Sequence, residues 1–141
     1  METSIVRQRL NQTIDRAKRA AAARRERGDE AARAYETFLS DRAIPLFRQL
    51  AGALKASGHP FTIVTPAGSV RLASDRSAED FIELSLDTSG DRPLVVAHTS
   101  RTRGRRVIEA EAPVSEHAVD DISEDDLLTF VLKELEPFVE R

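Results

Sequence analysis

The sequence has 141 residues, enough for one domain whose core forms without a disulfide or a bound metal. It contains no cysteine, which excludes disulfides, thiolate metal sites and cysteine nucleophiles. Hydrophobic residues make up 40% and charged residues 32%, and no apolar run approaches the ~18 residues that span a bilayer. We therefore expect a cytoplasmic protein without membrane contact. The excess of arginine over lysine and the abundant alanine suggest a GC-rich bacterial genome.

The net charge of −3 is distributed unevenly along the chain. Residues 1–57 have a formal charge of +5, residues 58–112 of −1 and residues 113–141 of −7. A basic front and an acidic tail can attract each other within one chain or between two copies.

The N-terminal segment predicts a long helix, because residues 5–39 contain no proline and many alanines. Gly28 and Asp29 leave open one kinked helix or two helices. Small and apolar residues alternate in steps of three and four, which is typical of a coiled-coil seam. They are Leu10, Ile14, Ala17, Ala21, Arg24, Gly28, Ala31, Tyr35 and Phe38. We assign residues 1–39 to an N-terminal helical arm, a possible dimerisation element with Leu10, Ile14, Tyr35 and Phe38 as its contacts.

Residues 40–141 predict an α+β domain: a second helix, a five-stranded antiparallel sheet covered by helices, and a C-terminal helix. The second helix should begin at the cap residues Ser40 and Asp41 and end before Pro60. The sheet begins with a hairpin in which Pro66 occupies the first corner of a type I turn and Gly68 takes the left-handed conformation.

Later strands alternate, so that Ile82, Leu84 and Leu86 should share one face. Ser123 caps the last helix. That helix is apolar over more than half its circumference, which favours burial on two sides or in a dimer interface.

The last hairpin comprises residues 93–100 and 105–112. The first hairpin is predicted to have a three-residue loop with Gly68 in its left-handed position; if Gly104 plays the same part, Arg101 pairs opposite Arg105 and His98 opposite Ile108. One face would then be buried beneath the helices and would carry Leu94, Val96, His98, Ile108 and Ala110. The other face would be mixed and would carry Val95, Ala97, Thr99, Val107, Glu109 and Glu111, with Phe61, Ile63 and Phe81 on the same side.

Patterns for catalysis or metal binding are lacking in the sequence. His59, His98 and His117 lie in separate segments without ligand spacing, and there is no phosphate-binding loop or nucleophile motif. We therefore expect no cofactor and no metal, and the pattern argues against an enzyme. A small-ligand or enzyme pocket near His98 is the least favoured alternative.

Basic residues form two clusters that could contact phosphate groups. One is on the first helix and includes Arg19, Arg24 and Arg25; the other is a hairpin tip with Arg101, Arg103, Arg105 and Arg106. The pI of about 5.7 and the lack of aromatic residues between the arginines weigh against nucleic acid. The sequence thus favours a small, non-enzymatic, homodimeric protein-interaction module, such as an adaptor or regulatory subunit. A dimeric nucleic-acid-binding protein is the alternative.

Overall fold

The computed structural model, which describes residues 1–140, confirms the predicted α+β fold. Three α-helices are present in that range: α1 (Thr3–Phe38), α2 (Ile44–Ala56) and α3 (Glu124–Val139). The strands are β1 (Phe61–Val64), β2 (Val70–Ser74), β3 (Phe81–Asp87), β4 (Leu94–Arg103) and β5 (Arg106–Pro113). They form one antiparallel sheet in the order β1-β2-β3-β4-β5, so each hairpin joins neighbouring strands.

The predicted arm is a single helix rather than two. α1 has 36 residues, so it is about 54 Å long at roughly 1.5 Å per residue. It continues through a π-helical turn, Leu39–Ala43, directly into α2. The predicted cap at Ser40 and Asp41 is therefore wrong, and the Ser40 hydroxyl instead donates to the Thr37 carbonyl at 3.2 Å. Pro45 lies at the start of α2, where a missing backbone N–H is tolerated.

The first hairpin has a different turn from the predicted one. The Ser69 amide donates to the Pro66 carbonyl at 3.0 Å, so Ala67 and Gly68 are the two central residues and Pro66 precedes them. Gly68 has φ of 75°, which at the second central position indicates a type II turn. The left-handed conformation predicted for Gly68 is confirmed, whereas the role predicted for Pro66 is wrong.

The predicted register of the last hairpin is wrong: the faces predicted for the β4 residues are reversed, whereas Ile108 and Ala110 of β5 lie on the helix side as predicted. Arg103 pairs with Arg106 across a two-residue loop, and His98 lies opposite Glu111. Gly104 has φ of 63° at the first loop position, as a type II′ turn requires. The pairing differs from the prediction by an odd number of residues, and such a slip moves every side chain of one strand to the other face.

All three helices lie on one face of the sheet and form a single core with it. Val95 and Ala97, predicted for the mixed face, point into this core and are buried. Phe61 and Ile63 also point there, whereas Phe81 and His98 lie on the opposite, open face. The alternation of Ile82, Leu84 and Leu86 toward the core is confirmed. The fully buried side chains of the core include Phe38, Phe47, Leu72, Ile82, Leu84, Ile122, Leu127 and Val131.

The last helix packs on the core mainly through one side. Ser123 forms the predicted cap, in a reciprocal capping box with Asp126. Leu127 and Leu135 are buried, whereas Leu132 remains 49% exposed. The side chain of Arg42 holds the segment before α3 by donating to the Ile122 carbonyl at 2.6 Å.

Candidate interaction surfaces

The outer part of α1 extends away from the rest of the chain. Every residue from 3 to 20 is exposed. Val6, Leu10 and Ile14 are spaced by four residues, so they share one side of the helix, and they are 49%, 55% and 40% exposed. We call these three residues the arm stripe. Such exposure of large aliphatic side chains in a row is a feature of helices that pack against a second helix.

The inner end of α1 does not take part in this exposed surface. Tyr35 and Phe38, predicted to contact a partner, are buried in the core of the chain itself, at 4% and 0% exposure. The Tyr35 hydroxyl donates to the Leu84 carbonyl of β3 at 3.1 Å. Burial, followed by the negative charge of Glu83, raises the pKa of Tyr35 above its usual value. The burial of Tyr35 and Phe38 shows that their predicted contact with a partner is wrong, and a partner contact at Leu10 and Ile14 stays a prediction.

The arginines predicted to bind phosphate groups form two different surfaces. On α1, Arg24 and Arg25 flank the side that carries Leu10, whereas Arg19 lies on the opposite side, so the three do not form one stripe.

The arginines of the hairpin tip lie closer together in the chain than those of α1. Arg103, Arg105 and Arg106 are exposed and Arg101 is half-buried. Within residues 1–140, none of these four guanidinium groups is in an ion pair. Arg103 lies directly opposite Arg106, an arrangement that is unfavourable unless negative charge is nearby.

His98 belongs to a cluster on the open face of the sheet. Its Nε2 lies 3.3 Å from the Glu109 carboxylate, and its ring meets the Phe81 ring edge-on at 5.4 Å. The Arg71 guanidinium covers Phe81 at 4.0 Å from the ring centre and pairs with Glu83 at 3.3 Å. The predicted position of His98 beneath the helices is wrong, because His98 is on the face away from them, and a ligand pocket near His98 stays a prediction.

A cleft that the sequence did not indicate lies between the sheet and the end of α3. Its volume is about 320 Å³, and His59, Arg76, Asp80 and Phe138 are among its lining residues. The Arg76 guanidinium donates to the Gly58 carbonyl at 3.1 Å, and the Asp80 carboxylate accepts from the Thr102 amide at 2.6 Å. Both side chains thus tie chain segments together, and no nucleophile is paired with a base among the described lining residues.

Residues 1–140 bring no three histidine or carboxylate side chains together in a way that could hold a metal ion. No helix in this range combines the length and the apolar character needed to cross a bilayer.

Comparison of the chain with protein-family models, curated proteins and solved structures finds no match.

Proposed function

We propose that this protein is a non-enzymatic, homodimeric protein-interaction module of the adaptor or regulatory type. The observation that carries the proposal is the arm stripe. Val6, Leu10 and Ile14 project from a helix whose first 18 residues contact no core. Complete burial of one such aliphatic side chain contributes roughly 1.5–3 kcal/mol, so a partner surface would stabilise the arm considerably.

A second copy of α1 fits the arm stripe well. The spacing of four residues forms the ridge that packs into the groove of another helix. Ala17 and Ala21 follow on the same side and allow two helix backbones to approach closely. Two copies would bury both stripes in one contact, and the inner halves of both helices would stay in their own cores.

The dimer is tested by truncating the arm stripe. Leu10→Ala with Ile14→Ala removes apolar contact and preserves helix propensity, since alanine is the best helix former. We expect the wild-type chain to sediment as a dimer, and the double variant to dimerise at least about a hundredfold more weakly, because four large side chains are lost per dimer. Analytical ultracentrifugation over a concentration series measures both.

The matched control is Gln8→Ala with Gln12→Ala, which changes the opposite side of the same helix turns. We expect this variant to dimerise as the wild type does. A monomeric wild-type chain, or equal weakening by both double variants, would remove the arm contact from the proposal.

A second candidate function, nucleic-acid binding, is supported by the crowded arginines of the hairpin tip. Phosphate groups would relieve the repulsion between Arg103 and Arg106, which pair directly across the hairpin. A gel-shift titration at about 50 mM salt tests this function under permissive conditions. We expect Arg103→Ala to weaken binding and Arg48→Ala, an exposed arginine of α2, to leave it unchanged. If the wild-type chain shifts neither DNA nor RNA, the candidate is rejected.

A further inference from the structure

Strand β5 is an open edge of the sheet. It is the last strand in the sheet order and has eight residues, whereas the other edge strand, β1, has four. Val107 is 44% exposed on the open face and Ile108 is 36% exposed on the other face, so the helices do not cover the strand. Proline, which would block pairing, occurs in β5 only at its last residue.

The backbone groups that β5 leaves unpaired within this sheet can be identified from its pairing with β4. The Val114 amide donates to the Val95 carbonyl at 2.9 Å, so the even-numbered residues of β5 face β4. The N–H and C=O groups of Val107, Glu109 and Glu111 therefore point outward. Such a row can pair with another strand.

The charges of β5 fit an antiparallel copy of the same strand. Arg105, the turn residue directly before the strand, and Arg106 stand at its start, and Glu109 and Glu111 stand toward its end. When Ile108 faces Ile108 of a second copy, Arg105 lies opposite Glu111 and Val107 opposite Glu109. A register centred one residue later would place Glu109 opposite Glu109, which is repulsive.

We propose that β5 pairs antiparallel with β5 of a second copy across a two-fold axis at Ile108, which joins two five-stranded sheets into one of ten strands. Val107 of each copy exchanges both backbone hydrogen bonds with Glu109 of the other. The two Arg105–Glu111 pairs add charge complementarity at the ends. This contact goes beyond the proposed function, because it uses a surface separate from the arm stripe.

Single cysteines test the register directly, since the chain has no cysteine of its own. Ile108 would face its own copy at a position without hydrogen bonds, where the two Cα atoms are about 4.5 Å apart, within disulfide range. We expect Ile108→Cys to give disulfide-linked dimers rapidly under mild oxidation, as seen on a non-reducing gel.

Two other cysteine positions serve as controls. Ala110→Cys shares the strand and the face, but each copy would lie about 14 Å along the strand from its counterpart, so it should cross-link poorly. Val64→Cys places a cysteine on the opposite edge, at an exposed position. Cross-linking of Ile108→Cys no faster than that of Val64→Cys, or a maximum at residue 110, would overturn the proposal.

Charge reversal gives a second test in the Ile108→Cys chain. Arg105→Glu or Glu111→Arg alone should slow cross-linking about tenfold, because two symmetry-related pairs change from attraction to repulsion. The combination of both reversals should restore the rate. Arg105 and Glu111 are exposed, so we expect the reversed variants to fold, and circular dichroism checks this.

If the combined variant stays as slow as the single variants, the Arg105–Glu111 register is wrong. The cross-link reports on the β5 edge alone, and the arm is tested by the difference in self-association between the Leu10→Ala, Ile14→Ala variant and the Gln8→Ala, Gln12→Ala control, which have the same β5. Either proposal can therefore fail without the other.

Discussion

Tyr35 links the helical arm to the sheet through one hydroxyl group. The heptad spacing places Tyr35 in the same seam as Leu10 and Ile14, so the sequence predicts the same role for all three. The structure separates them, because only Tyr35 reaches a strand of its own chain, where it donates to the Leu84 carbonyl. Periodicity identifies the side of a helix that packs, but it does not identify what that side packs against.

Removal of this hydroxyl should destabilise the chain in a pH-dependent way. Tyr35→Phe leaves the Leu84 carbonyl without its donor and should lower the free energy of unfolding by about 1 kcal/mol near pH 8. The pKa of Tyr35 is raised in the folded chain, so the unfolded chain releases the proton first as the pH rises above about 10. The wild-type protein should therefore lose stability from about pH 10 upward, and the phenylalanine variant lacks this loss.

Urea unfolding near pH 8 and near pH 11 measures both free energies. The advantage of the wild type over Tyr35→Phe should shrink at the higher pH. An equal difference at both pH values would contradict the burial of the neutral hydroxyl.

The β4–β5 hairpin shows how one turn sets the position of a whole strand. The sequence identifies Gly104 as the turn glycine, and its φ of 63° confirms this. The loop length, however, was transferred from the first hairpin, and the two-residue loop gives a different register. His98 lies on the open face instead of the predicted buried face, whereas Val107 and Ile108 lie on the faces predicted for them.

Alanine at Gly104 should therefore destabilise the hairpin. The left-handed conformation disfavours a Cβ atom, and we expect a loss of about 1 kcal/mol in the free energy of unfolding. Gly52→Ala is the contrasting variant, because Gly52 lies in α2 with open space where a Cβ would be. The free energy of unfolding of Gly52→Ala should rise by about 0.5–1 kcal/mol. Thermal or urea unfolding distinguishes them, and a stabilised Gly104→Ala variant would contradict the assigned turn.

At the scale of the whole molecule, α1 has an exposed outer part and an inner end that packs into the core. Every residue from 3 to 20 is exposed, but Phe38 is completely buried among the core residues. The division into residues 1–39 and 40–141 remains a prediction, and truncation tests it.

Removal of residues 1–20 should leave the free energy of unfolding nearly unchanged, since no core contact is lost. Removal of residues 1–39 should prevent stable folding, because loss of a buried Phe alone costs about 3–5 kcal/mol and a small domain has only about 5–15 kcal/mol in total. Circular dichroism and thermal unfolding of both truncated chains measure this. A stable chain of residues 40–141 would show that the arm is a separate unit.

The sequence by itself determined the helices, the strands, their order and the cap at Ser123, because these depend on propensities and periodicities within a few neighbouring residues. It also placed Leu10 and Ile14 on one side of the first helix. Only the tertiary structure decided that Tyr35 and Phe38 belong to the core, that Val95 and Ala97 face the helices, and that β5 is an uncovered edge. Those outcomes depend on strand register and on contacts between residues far apart in the chain, which patterns among neighbouring residues do not specify.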